Sequence, residues 1–506
     1  MALVFVAVLA VFGWLMISRR LTATLALPLA ALTIGAIALI PTARDSGVVA
    51  ALSTLGTEVI EGGVMRLALW VFAVILGAVL AAQMSITGAA ERLVRYSAEY
   101  AGEDRFRLGL LMLAVIAVLF TTLGGLGAVI LVASITLPLM FSLGYEPKVA
   151  GALFLLGLSL GGCLNPLNWA GYISILELDV TQIVPYAVTL AALFFLVACV
   201  FLLVHTTGRR DWLKQGLALA GLLIAAAVTG LVITRVPQVW VVIKHILAGL
   251  LLVILAVLLA LLIIRTVLVL FSQPAKAEGA GNWLTQPGNW LAGASVIVPL
   301  ALLLWSSLHV NIVGADHAVF SIGILTALTA GIIFCALASH TKDGSAANRL
   351  MRALFEGMTN GGPAIVLLIG IGMLLKATML PEVKASFAPF FAMLPVGNIG
   401  GYIAVFFVLS PLALYRGPLN LYGMGSGIIG IINDGGVLAG SLIMGAFFSV
   451  GMLQGVCDPT NTHNVWIANF CKVPVNDLTR LTAPWVLAIV LLGLAAAALM
   501  FRAAFG

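Results

Sequence analysis

The chain has 506 residues, of which 62% are hydrophobic and only 9% charged, with a formal charge of +6 and a mean hydropathy of +1.18. A soluble protein of this length carries about 25% charged residues, so a soluble globular enzyme is excluded. The basic excess is scattered over short connections, which excludes a nucleic-acid-binding surface.

In chain order, apolar runs long enough to cross a hydrocarbon core of about 30 Å fall at 2–18, 22–40, 64–86, 107–142 (interrupted), 183–206, 215–235, 244–271, 291–308, 318–338, 361–380, 398–433 (interrupted) and 483–503. These predict an all-α polytopic membrane protein of about twelve transmembrane segments. The runs do not alternate as barrel strands do. The first of them lacks a basic leader and a small-residue cleavage site, and reads as a retained helix. "SQPAKAEGAGNWLTQPGNW" (272–290) is a linker between two halves of similar size. The expected domains are N-terminal scaffold helices (1–63), a first repeat (64–206), central scaffold helices (207–360) and a second repeat (361–506). With the N-terminus outside, sixteen basic residues fall on inner loops and seven on the outer side, the bias that sets orientation. Segment 64–86 then runs inward and 361–380 outward. The stretches 349–358 and 381–394 are amphipathic and predict interfacial helices.

Two apolar stretches, 148–180 and 438–470, are broken by polar clusters. "GALFLLGLSLGGCLNPLNW" (151–169) and "GAFFSVGMLQGVCDPTNTH" (445–463) share Gly, Ala, Phe, Gly, Gly and Cys in order. One residue later "NPLN" falls on "DPTN". Each copy follows a glycine-broken helix, "TTLGGLG" (121–127) and "LYRGPLN" (414–420), and each glycine, Gly124 or Gly417, stands 42 residues before its proline, Pro166 or Pro459. Shared order, spacing and polar tip point to duplication, and opposite orientation gives an inverted-topology repeat. Polar, Pro-containing backbone in lipid leaves amide and carbonyl groups without partners, each costing several kcal/mol. The expectation is therefore two re-entrant hairpins, 148–180 and 438–470, and two broken helices, meeting at a solute site.

The candidate solute-binding residues are Gly124, Gly125, Asn165, Asn168, Trp169, Arg416, Asn420, Thr460, Asn461 and Thr462. Asn168 and Asn461 lead because each closes its copy of the motif, though an Asn there equally caps a turn. Trp169 stacks on solute or anchors the hairpin. Arg416 grips a carboxylate with its planar fork, or pairs with an acid, or reaches toward water. Asp458, His463 and Asn464 are the candidates for cation coupling. Asp458 is the one acid in either tip, and a carboxylate at membrane depth is a functional hypothesis by default; its alternative is a bond to nearby backbone. His463 carries a proton or is a structural hydrogen-bonded ring. A Na⁺ site near Asn168 and Asp458 is one possible metal site. The five cysteines lack metal-ligand spacing and read as packing residues. There is no Walker sequence, so no ATP-driven pump and no enzyme is expected. No cofactor beyond a coupling Na⁺ or H⁺ is expected.

The runs "ILGAVLAAQMSITGAAERLVR" (75–95), "LPLMFSLGYEP" (137–147), "NPLNWAG" (165–171), "LLIGIGMLLKATML" (367–380) and "FFVLSPLALYRGPLN" (406–420) resemble the ion transporter superfamily, nearest in pattern to citrate–metal/proton symporters and gluconate permeases. The resemblance covers roughly 64–206 and 361–503. It implies a homodimer in the cytoplasmic (inner) membrane whose transport domain moves as an elevator against a scaffold. It also implies carriage of a small organic anion with Na⁺ or H⁺, with Asn165–Trp169 and Asp458–Asn464 as binding elements. Citrate relatives follow the first tip with a Pro-Trp-Gly-Gly-Pro-like run and an Arg. Here "PLNWAGYISIL" has neither the second Pro nor the Arg, which argues against citrate itself. A Na⁺/H⁺ antiporter on the same fold is the alternative function, and a channel or partner subunit without coupled transport is a third.

Overall fold

The structure, a computed structural model, describes residues 1–18, 20–101, 104–206, 237–271, 290–314, 321–340 and 345–505, with isolated positions between 206 and 237 and between 314 and 321. Among the described residues every element is helical. The first are α1 (Ala2–Ile17), α2 (Ala23–Ala38), α3 (Ile40–Asp45), α4 (Val48–Thr54), a π-helical turn (Leu55–Glu61), α5 (Gly62–Arg66), α6 (Ala68–Ile86) and α7 (Ala89–Ala101). Then come α8 (Arg105–Phe120), α9 (Gly125–Ser142), α10 (Pro147–Cys163), α11 (Pro166–Leu176), α12 (Val180–Thr206), α13 (Pro237–Phe271), α14 (Trp290–Gly293), α15 (Ile297–Val313) and α16 (Ile324–Ala338). The last are α17 (Ser345–Thr378), α18 (Pro381–Ala392), α19 (Ile399–Leu409), α20 (Gly425–Asp434), α21 (Gly440–Cys457), α22 (Thr462–Phe470) and α23 (Val475–Met500).

Helix starts follow local chemistry. Asp104 caps α8 by accepting from the Phe106 and Arg107 amides at 2.9 and 3.1 Å, and Asn398 caps α19 through the Gly401 amide at 2.9 Å. Pro begins α10, α11, α13 and α18, where its missing N–H costs nothing.

Nine described helices are long and apolar enough to cross a membrane, or ten if the bent pair α10–α11 is one span. The expected segments 2–18, 22–40 and 318–338 form the shorter helices α1, α2 and α16, and 215–235 lies outside the described residues. Segment 64–86 starts earlier than expected, because helical chain continues from Val48 through the π turn to Ile86. The stretch 349–358 is not a separate interfacial helix but the first part of α17, which runs on through Pro363.

The backbone breaks where the sequence places the polar tips. A bend of 51° separates α10 from α11, the form of a broken span or of a re-entrant loop. Gly440–Phe470 passes as one 31-residue candidate span interrupted at 458–461. Shortly after α11 and after α22 the chain passes through a residue in the left-handed region, Glu177 (φ 57°) or Lys472 (φ 56°), and within three residues of it a long helix begins, α12 or α23.

The chain forms two compact units, residues 1–74, 168–193 and 361–506 in the first, and 75–167 and 194–360 in the second. In the first unit α21 packs along α23, with a Cβ on Gly445 falling 2.5 Å from that of Ala497. Tyr186 on α12 ties this pair together, its hydroxyl within hydrogen-bonding distance of the Gly445 carbonyl on α21 at 3.0 Å and of the Gly493 carbonyl on α23 at 3.2 Å. The Tyr402 hydroxyl donates to the Leu442 carbonyl at 2.8 Å. Helices α5 and α17 touch backbone to backbone: a Cβ on Gly372 would lie 2.1 Å from the Gly63 carbonyl.

In the second unit α8 and α10 approach as closely, a Cβ on Gly161 falling 2.3 Å from the Ala117 carbonyl, and the Phe120 ring meets Phe154 edge-on. Arg265 on α13 is fully buried and donates to the freed carbonyls of Leu337 and His340 at 2.8 and 2.7 Å, closing the C-terminus of α16. The remainder of α13 is almost wholly exposed and apolar, a surface suited to lipid.

Candidate functional site

The break between α21 and α22 is built by Asp458. Its Oδ1 accepts from the Thr460 amide at 2.8 Å and the Thr460 hydroxyl at 2.7 Å, an Asx turn that stops α21. Its carbonyl accepts from Asn464 Nδ2 at 3.0 Å and from the Asn461 amide at 3.1 Å. The Cys457 carbonyl, freed by the break, takes the Thr479 hydroxyl at 2.8 Å. Asn461 caps α22 through a long 3.4 Å bond from the His463 amide. Asp458 and Asn464 are each 1% exposed. Asp458 Oδ2 and Asn464 Oδ1 have no hydrogen-bond partner among the described residues. Two buried acceptor oxygens without donors, on residues already joined by a hydrogen bond, are what a cation or proton would complete.

The break before α11 uses the same turn. Asn165 Oδ1 accepts from the Leu167 amide at 2.9 Å, and its Nδ2 donates to the Phe120 and Leu123 carbonyls at 2.8 and 3.1 Å. Asn165 thus takes up two of the carbonyls freed where α8 ends. Gly124 is extended and Gly125 has φ +81°, which lets α9 start directly after α8 stops. Asn165, Gly124 and Gly125 belong to the second unit; Asn168, Trp169, Arg416, Asn420 and 458–464 belong to the first. The cluster assembled below is that of the first unit.

Between α19 and α20 the chain makes 3₁₀ turns interrupted by non-helical backbone at Leu414 and Tyr415, and then an irregular loop. Tyr415 and Arg416 both adopt φ +56°, an uncommon pair for non-glycine residues. Asn420, 1% exposed, repeats the role of Asn165: Oδ1 accepts from the Tyr422 amide at 2.9 Å and Nδ2 donates to the Ala413 carbonyl at 3.0 Å. The Arg416 guanidinium donates to the Tyr422 carbonyl at 3.0 Å. The Tyr422 hydroxyl donates to Asn168 Oδ1 at 2.5 Å, and its ring packs on the fully buried Trp70 at 5.2 Å between centroids. Arg416 is within electrostatic range of both Asp458 and His463, yet Arg416 and Asp458 do not meet as a direct ion pair.

Arg416, Asp458 and His463 therefore share one neighbourhood, with Asn168 tied to it through Tyr422. Trp169 is fully buried. Thr462 is exposed and Thr460 is engaged by Asp458. Asn165 and Asn420 serve the backbone. Tyr422 and Trp70 escaped the sequence reading, since an aromatic ring in an apolar run looks like core; the only clue was that Tyr422 stands two residues after a break asparagine. The cysteines are buried, and burial pushes the Cys471 thiol, in the turn between α22 and α23, up to about 12.

No family model matches the sequence, and no curated protein matches it. Among solved structures the chain is similar to the YdaH transporter of Alcanivorax borkumensis, whose crystal structure is described as having an unusual topology. The TM-score is 0.53 at 15% identity, covering 91% of this chain and 90% of that one. At that identity the likeness is one of fold. Taken with the apolar helices, the chain is a multi-pass membrane protein with a transporter-like fold.

Proposed function

We propose that the protein is a secondary active transporter that carries a small organic anion, a carboxylate or hydroxycarboxylate, together with Na⁺ or H⁺ across the cytoplasmic membrane. The observation that carries this reading is the pairing of a buried, half-satisfied Asp458 carboxylate with a nearby Arg416 at two helix breaks. A cation on Asp458 Oδ2 and Asn464 Oδ1 would neutralise the carboxylate and leave the Arg416 charge available to a substrate carboxylate. Binding of one would then favour binding of the other, which is the energetic content of symport. Asn168, held by Tyr422, and the first amides of α22, capped by Asn461, offer further donors. The likeness of motifs to the ion transporter superfamily supports a homodimer working as an elevator, and the fold likeness supports a transporter.

The decisive experiment is uptake into proteoliposomes under imposed Na⁺ or H⁺ gradients over a panel of dicarboxylates and hydroxycarboxylates. Gradient-driven accumulation of one of them is expected. Gradient-driven cation exchange with no organic uptake would discard the symport reading for the Na⁺/H⁺ antiporter, which the single acid in either break favours.

A further inference from the structure

An open cleft lies in the same unit, lined by residues outside the Asp458 break. It is a cleft of about 560 Å³ lined by Gly62, Met65, Arg66, Leu69, Ile173, Ser174, Glu177 and Lys376. Its walls end in the turn between α11 and α12, which carries Glu177 and Asp179, and in the last turn of α17, which carries Lys376. Charged helix ends of this kind lie at an aqueous face. On the orientation expected from the basic residues, that face is the outer one.

The cleft is rich in donors that the protein does not use. Arg66 is only 21% exposed; one guanidinium nitrogen pairs with Glu177, another donates to the Ile175 carbonyl at 3.1 Å, and Nε is buried without a partner. The Ser174 hydroxyl, on a residue 8% exposed, is likewise unpartnered. Lys376 lies over Gly62 and meets Glu58 only loosely, at 3.8 Å. The acids facing these cations are themselves outward: Glu177 is 72% and Glu58 59% exposed. An exposed ion pair of this kind is weak and easily exchanged. The left-handed backbone of Glu177 nonetheless sets that residue beside Arg66. Its carboxylate stands where an anionic ligand would sit.

The wall of the cleft leads inward. Trp70 follows the lining residue Leu69, packs against Gly171 of α11 and meets the Tyr422 ring at a tilt, and the Tyr422 hydroxyl holds Asn168. We propose that this cleft is a carboxylate vestibule, in which an incoming carboxylate displaces Glu177 from Arg66 and is held by Arg66, Lys376 and Ser174 on its way to the Asn168–Arg416 region. The onward passage rests on the organic-anion reading; binding in the cleft does not.

The test uses the purified full chain with Met65→Cys as reporter, since Met65 lines the cleft and is 71% exposed while the native cysteines are buried. Its labelling is timed with an anionic (sulfonatoethyl) and a cationic (trimethylammonioethyl) methanethiosulfonate, each normalised to its rate with a free thiol. A cleft that attracts anions favours the anionic reagent by about tenfold. Succinate should slow labelling and neutral succinamide should not, and Glu177→Gln should strengthen the succinate effect. Arg66→Gln should abolish it, with Lys376→Gln as a second removal of charge where the first variant fails to fold. Equal normalised rates, or equal protection by succinamide, overturns the proposal, as does protection that survives loss of both cations. The same series in an Asn168→Ala background separates the two readings. In the Asn168→Ala variant protection should persist while uptake is lost; in the wild type, protection with no gradient-driven uptake sinks the symport reading alone, and uptake with no protection sinks the vestibule alone.

Discussion

Replacing Asp458 by Asn and by Ala separates a cation site from a structural turn. In Asp458→Asn the remaining Oδ1 still accepts from the Thr460 amide and hydroxyl, and the amide nitrogen takes the place of the unpartnered Oδ2. In Asp458→Ala both bonds vanish and the part-buried Thr460 N–H loses its acceptor, a loss of about 1–3 kcal/mol. For the Asn variant two electrostatic changes oppose each other. Attraction to Arg416 is lost, bounded by about 4 kcal/mol for charges 4 Å apart at an effective dielectric of 20, and smaller here because the two form no direct ion pair. The desolvation of a buried carboxylate, several kcal/mol, is relieved. The net change in the cation-free protein is therefore within about 2 kcal/mol of zero. Thermal unfolding in Na⁺ against choline is the assay. Na⁺ at about 100 times its dissociation constant stabilises the wild type by ~2.7 kcal/mol, and the Asn variant not at all. An Asn variant as unstable as the Ala variant, or one still stabilised by Na⁺, refutes the reasoning.

The other outcomes follow from the same contacts. Asn165→Ala strips three hydrogen bonds from a residue 5% exposed and should cost about 3–5 kcal/mol in thermal stability; Asn420→Ala, losing two, should cost somewhat less. Tyr422→Phe keeps the ring on Trp70 and removes only the hydroxyl from Asn168, about 1–2 kcal/mol. That should read as a KM about 5–30 times higher, with unfolding little changed. Asn168→Ala and Asn461→Ala should each abolish uptake while leaving assembly, followed by size-exclusion chromatography, intact. Full uptake in both would move the site elsewhere.

The sequence was most legible where its chemistry contradicted its surroundings. An Asn-Pro and an Asp-Pro in apolar helices announce a break, because the side chain can take the amide two residues on and the proline cannot continue the preceding ladder. The structure breaks at both places. The angle of each break was not legible. A polar tip tells that the helix stops; whether the chain then reverses depends on what the flanking helices touch, such as the Gly161–Ala117 and Gly445–Ala497 approaches. Small residues at those positions read simply as membrane helix. The start of the third span was missed for a related reason. Gly62 and Gly63 look like a helix stop, yet Gly63 is there so that the Met373 backbone can come close, and the helix continues through it.

The matched breaks also differ in one chemical respect. Asn165 and Asp458 hold the same place in the duplicated motif and form the same two-residue turn. The amide of Asn165 finishes its break by donating to two carbonyls of the preceding helix end, so nothing is left over. A carboxylate has no donor, so at the second break that closure is unavailable: Oδ2 of Asp458 and Oδ1 of its neighbour Asn464 stay unmet in a dry position. One copy is a finished structural kink and the other is the same kink short of a positive charge. Exchanging them gives the sharpest contrast: Asn165→Asp should destabilise by turning two good acceptors against a carboxylate, while Asp458→Asn should not.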